Sequence, residues 1–159
     1  MQQLVSEESR IWIYQSNREL TQEEVQLIKA KGDAFVQQWK AHQKDLSAEF
    51  DVLYNLFIVL AVDENMIPAS GCSIDESVAF IKSIESEFKI DLLDKLNLAY
   101  RSGNGNIQVD HMNEFMGKIK SGEINEETIV FNNLINTKKD LQLCWEVPAK
   151  ESWHKQLLN

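Results

Sequence analysis

The apolar positions of this chain switch between two periods. Arg10-Ile-Trp-Ile-Tyr-Gln-Ser16 alternates imperfectly but is rich in β-branched and aromatic residues, which predicts a strand. Val25, Ile28, Gly32, Phe35, Val36 and Trp39 then recur every three or four residues, which predicts a helix from Thr21 to about Gln43 with one buried face. Thr21-Gln-Glu-Glu24 supplies a capping box at its start, and Leu20 and Val25 occupy the staple positions. Gly32 falls on the apolar face, where a missing side chain admits a close backbone neighbour. His42 ends this helix on the surface.

Phe50 to Asp63 is too long and too apolar for one two-faced strand. It reads as a hairpin, with strands at 48–54 and 56–62 and a turn near Tyr54-Asn55. Asn65 to Gly71, with Pro68 and Ser70, reads as a loop. Ser73-Ile-Asp-Glu76 is a second capping box, opening a helix over 73–88 with Ile74, Val78, Ile81, Ile84 and Phe88 on one face. Residues 95–101 read as a strand, and Ser102-Gly-Asn-Gly-Asn106 as a turn. The order strand, helix, strand, strand, helix, strand suits an α+β fold. It is that of a ferredoxin-like (split βαβ) core over 10–101, an antiparallel sheet with both helices on one face.

The tail, 102–159, predicts a strand–helix–strand extension within the same single domain. Ile107 to Val109 is a short strand, and Asp110 caps a helix carrying Met112, Phe115, Met116 and Ile119 that ends at Gly122. Thr128 to Phe131 is a further strand, and Ser152 to Leu158 a helical turn. Between them, Thr137 to Trp145 fits either period.

Charge narrows the partners. Residues 1–80 hold 13 acids and 6 bases, residues 81–159 hold 12 and 10, and the net charge is −9. Neither half carries the basic field that binds nucleic acid or an anionic membrane surface, so neither partner is expected. The longest apolar run, Leu56 to Val62, has seven residues, far short of the roughly 20 that span a bilayer. Met1 to Arg10 is polar and acidic, without the pattern of a secretory signal. A cytoplasmic protein is expected, with Cys72 and Cys144 as free thiols.

Three runs of residues carry a resemblance. Arg10-Ile-Trp-Ile-Tyr-Gln-Ser-Asn17, Gly71-Cys-Ser-Ile-Asp75 and Thr128-Ile-Val-Phe-Asn-Asn133, with Trp145-Glu-Val-Pro148 and Ser152-Trp-His154, resemble a small uncharacterised bacterial protein family. Some members of that family carry the label ABC transporter ATPase. The resemblance spans nearly the whole chain and implies no established activity, substrate or catalytic residue. The G-x-x-x-x-G-K-[ST] loop that would cradle a nucleotide's phosphates does not occur in the sequence. Residues 107–131 are also similar in layout to strand–helix–strand modules of the GYF type, a resemblance that implies peptide binding.

Candidate chemistry centres on Gly71-Cys72-Ser73-Ile74-Asp75, where a loop feeds a helix start. Free N–H groups at Ser73, Ile74 and Asp75 and the helix dipole favour an anion there, with Arg101 or Lys155 as counter-charge. The same field favours a Cys72 thiolate, for which His154 is a candidate base. The alternative is that Ser73 is an N-cap, Gly71 a turn and Cys72 a small buried hydrophobe. Asp51, Asp63, Glu64 and Asp75 would have to converge to hold a hard cation; capping or solvated roles are the expectation. No metal or cofactor is expected. Three functions remain open: a non-catalytic protein binding a small anion or a protein partner at 69–75, a small Cys72-dependent hydrolase or thiol-redox enzyme, and a structural subunit of an assembly.

Overall fold

A computed structural model describes residues 5–65 and 67–159. The protein is mixed α+β with antiparallel sheets and, among the described residues, four α-helices. It divides into two compact units. The first runs to Leu93 and includes Asn136–Lys139; the second holds Asp94–Ile135 and Asp140–Asn159. None of the described helices is long and apolar enough to cross a membrane.

In the first unit, β1 (Arg10–Gln15), β4 (Ala48–Leu53) and β5 (Phe57–Val62) form an antiparallel sheet in the order β1-β5-β4. The register sets Trp12, Leu60 and Phe50 side by side on one face, with Tyr14, Ile58 and Val52 alongside. Helices α1 (Gln22–Gln38) and α2 (Gly71–Phe88) both pack on that face, through Ile28, Ile81 and Ile84. Strand β5 is buried on both sides, its alternate residues Phe57, Val59 and Ala61 being fully enclosed. That accounts for its unbroken apolar run. The hairpin turns through Tyr54 and Asn55, both at φ 55°, and the Leu56 N–H closes it on the Leu53 carbonyl at 3.1 Å.

Two boundaries and one contact differ from expectation. Helix α1 ends at Gln38, because Trp39 turns extended and the chain makes a small hairpin, β2 (Lys40–Ala41) with β3 (Lys44–Asp45). His42 and Gln43 take positive φ in its turn, so His42 ends no helix. The turn buries Ala41 and Leu46 in the same core as Trp39, which a continued helix would not do. Gly32 faces the ring of Phe50 rather than a backbone: a Cβ there would lie 2.0 Å from Phe50 Cδ1. Helix α2 begins one turn early, with Ser70 and not Ser73 as its N-cap.

The largest departure concerns the expected ferredoxin-like sheet. Strand β6 (Asn97–Arg101) does not join the first sheet; it pairs within the second unit. The outer edge of β1 is taken instead by Asn136–Lys139. The Ile11 N–H donates to Asn136 O at 3.0 Å, the Lys138 N–H to Ser9 O at 2.9 Å, and Arg10 bridges Thr137 antiparallel. Lys138 is buried there and reaches Glu49 and the Val5 carbonyl.

The second unit is a four-stranded antiparallel sheet in the order β7-β6-β8-β9, with β7 (Ile107–His111), β8 (Ile129–Phe131) and β9 (Glu146–Pro148). Leu98, Tyr100 and Val130 pack against Phe115 of α3 (Met112–Ser121) and against Ala149 and Trp153 of the C-terminal turns. Gly122 ends α3 at φ 84°, as its position predicts. A fourth helix, α4 (Lys138–Leu143), begins within the strap of residues 136–139. Pro148 stands in the edge strand β9, where no ladder N–H is needed of it.

Candidate functional site

The start of α2 is closed rather than open. Ser70 Oγ accepts from the Ser73 N–H at 3.1 Å, Ser73 Oγ accepts from the Ser70 N–H at 2.7 Å, and the Ile74 N–H bonds the Ser70 carbonyl at 2.9 Å. Two of the three N–H groups expected to meet an anion are thus already satisfied. Ser73 is buried at the third helical position, and its carbonyl accepts from the Trp39 indole at 2.8 Å. The local pattern Ser73-x-x-Glu76 matched a capping box better than Ser70-x-x-Ser73 does. What selects the earlier start is the tie from Trp39, remote in sequence.

Gly71 and Cys72 occupy the first two helical positions and are exposed, as is Asp75; Ile74 is half-buried. The buried-hydrophobe alternative for Cys72 is therefore corrected. Among the described residues its thiol has no hydrogen bond or ion pair. Cys144 is a free thiol pushed up by burial and by Asp140. His154 lies in the second unit, 1% exposed, stacked on Trp153 at 4.0 Å and 5.9 Å from Phe115. Its Nδ1 is 2.8 Å from Ser152 Oγ, and burial pulls the ring down to about 4. It is packing within that unit's own core.

The four carboxylates go their own ways. Asp51 accepts from the Val52 N–H and faces Lys29 at 3.3 Å, and Asp63 accepts from the Asn65 N–H. Glu64 accepts from the Ala69 N–H and faces Arg10 at 3.7 Å. Among the described residues no group of three or more His, Cys, Asp or Glu side chains is arranged to hold a metal ion.

Arg101 belongs to a different site, an open groove of about 590 Å³ in the second unit. One wall is the β6–β7 turn at 101–105, the other the loop at 123–129, and Tyr100, Gln108 and Lys118 lie between them. Arg101 is held by Glu146 at 2.8 Å, by the Gly105 carbonyl at 2.9 Å and over the Phe131 ring.

The groove rests on a closed polar network. The Tyr100 hydroxyl donates to Asp110 at 2.6 Å and accepts from Lys118 at 2.7 Å, and Lys118 also meets Asp110 at 2.8 Å. Asp110, the penultimate residue of β7, faces this network and caps no helix; the N-cap of α3 is His111, without a side-chain cap bond. Burial, with Asp110 beside it, pushes Tyr100 up to about 12. The Asp110 and Tyr100 bonds raise Lys118. Burial alone would raise Asp110, but the bonds from Lys118 and Tyr100 outweigh it and hold the carboxyl below its usual value. A general acid or base works best with a value near the operating pH. Each member here has moved away from neutrality, and the three side chains hold one another in place.

Sequence reasoning missed this trio. Tyr100 and Asp110 flank a turn, and Lys118 is one charge among several on α3; only the strand register and the helix packing bring them together. No protein-family model, curated protein or solved structure matches the chain.

Proposed function

We propose that this chain is a non-catalytic cytoplasmic protein that binds a segment of a partner protein along the groove of its second unit. The observation that carries the reading is the Tyr100–Asp110–Lys118 network under an open groove. Its titrations are driven away from neutral pH, and its members satisfy one another. Asn125 and Thr128, whose side-chain oxygens accept from the Glu127 and Asn125 N–H groups, keep an amide and a hydroxyl donor at the groove for a polypeptide to meet. The small-anion alternative at 71–75 loses support, because the Ser73 and Ile74 N–H groups are engaged. The layout similarity of residues 107–131 to GYF-type modules points the same way. In this reading the chain belongs with the small bacterial family it resembles. Its first unit is then a ferredoxin-like sandwich in which the segment Asn136–Lys139, bridged to β1 at Thr137 and entering α4 at Lys138, covers the fourth-strand edge, and its second unit is the C-terminal extension.

The experiment is selection of a displayed random-peptide library on the full chain, followed by retesting on Gly103→Trp. A Cβ at Gly103 meets nothing within 4 Å, so a bulky side chain can be attached to this groove-lining turn without displacing backbone. Binders that fail on the variant are expected. Recovery of none, or binding indifferent to Gly103→Trp, would refute the proposal.

A further inference from the structure

Given a partner segment in the groove, as proposed above, its charge follows from how the groove's own charges are sorted by depth. The cations lie low. The side chains of Lys118 and Arg101 are 30% and 29% exposed, and each is neutralised in place, by Asp110 and by Glu146, both at 2.8 Å. The carboxylates stand high. Glu123 and Glu127 are 64% and 63% exposed. Glu123 is 3.7 Å from a Lys118 that already faces Asp110, and Glu127 meets Lys150 in an exposed pair. Exposed pairs of this kind contribute little and are screened by salt, so a cation brought by a ligand can replace either one. An anion, by contrast, meets two outer carboxylates, with one exposed cation, Lys150, beside Glu127, before it reaches Lys118, which already faces Asp110. The net charge of −9 adds a long-range attraction of the same sign.

We infer that the groove takes an extended, Lys- or Arg-bearing segment of a partner protein, with its cationic heads on Glu123 and Glu127. Its peptide carbonyls meet the side-chain amide N–H of Asn125 and the hydroxyl of Thr128. A free phosphate or an acidic peptide is excluded by the same ordering of charge.

The test is fluorescence anisotropy with short labelled peptides that alternate Ser with Lys, Gln or Glu, titrated with the full chain at low and physiological salt. The Lys peptide is expected to bind, to weaken as salt rises and to bind at least about tenfold more tightly than the Gln peptide. Glu123→Gln with Glu127→Gln should weaken it about tenfold, the product of two exposed ion pairs. Glu23→Gln with Glu76→Gln makes the same charge change on exposed positions of the first unit and should leave affinity within about twofold. Equal losses in the two double variants would assign the attraction to net charge and overturn the cationic-segment site. A Gln or Glu peptide bound as tightly, and lost in Gly103→Trp, would overturn the charge assignment while sustaining partner binding in the groove. Failure of all three peptides on the wild-type chain would overturn both.

Discussion

Lowering the pH from 7.5 to 5 should weaken the second unit through one residue, His154. The ring is enclosed by Trp153 and Phe115, with Ser152 Oγ at 2.8 Å, and burial lowers it from 6.5 to about 4. The unfolded chain therefore takes up a proton first. Stability from neutral His154 is complete above 6.5 and is lost as pH falls from there through about 4. The gap, at about 1.36 kcal/mol per pH unit, amounts to about 3 kcal/mol once both states are protonated. At pH 5 about 2 kcal/mol of it is already gone. Glu24, held at about 2 by Arg18 and the Thr21 N–H, contributes its own acid loss only below the ordinary carboxylate range, so the chosen window avoids it.

The assay is urea unfolding followed by tryptophan fluorescence at both pH values, for wild type and His154→Phe. Phenylalanine keeps a ring against Trp153 and loses the Ser152 bond, which should lower stability at pH 7.5 by about 0.5–1.5 kcal/mol. The diagnostic quantity is the difference in pH dependence between the two proteins, because His42 and His111 are common to both. A wild-type loss about 2 kcal/mol larger than the variant's is expected. Parallel losses would show that His154 does not titrate from a buried, neutral state.

Four further outcomes follow from the packing. Gly32→Ala should destabilise by about 1–3 kcal/mol despite its better helix propensity, since the new methyl meets the Phe50 ring; a rise in melting temperature would show that the ring moves aside. Ser70→Ala should cost about 0.5–2 kcal/mol in chemical denaturation, and no loss would return the N-cap to Ser73. Lys138→Met removes the cation facing buried Glu49 and should cost about 3–5 kcal/mol, much of it recovered when Glu49→Leu is added; an equally unstable double variant would count against a buried charge pair. Native thiol labelling should be fast at exposed Cys72 and slower at half-buried Cys144, and Cys72→Ser should remove the fast phase.

The candidate site was harder to read than the fold because its groups are set by pairing between distant segments. The Gly71–Asp75 run looked open from its residue types, and its serines turn out to bond one another. Arg101 and His154 were singled out as partners for that run, yet each is occupied within the second unit. Tyr100, Asp110 and Lys118 carry no spacing that marks them. They meet only once β7 pairs with β6 in the register that sets Leu98 opposite Asp110 and α3 packs over Tyr100.

Features governed by neighbours a few residues away were legible in the chain itself. The Thr21 capping box, the two-residue turn at Tyr54-Asn55, the doubly buried strand over 57–62 and the αL stop at Gly122 all depend on local backbone chemistry or on an uninterrupted apolar run. Tertiary structure decided everything that involved competition for a partner. Whether residues 97–101 or 136–139 would take the edge of β1 turns on which backbone ladder closes, and backbone groups are the same in every sequence. The winning segment even carries a buried lysine, stable there through Glu49, a residue 89 positions away. The end of α1 was decided in the same way, by the burial of Ala41 and Leu46 beside Trp39. Periodicity records which face of an element is apolar; the pairing between elements is written in contacts that exist only after the chain has folded.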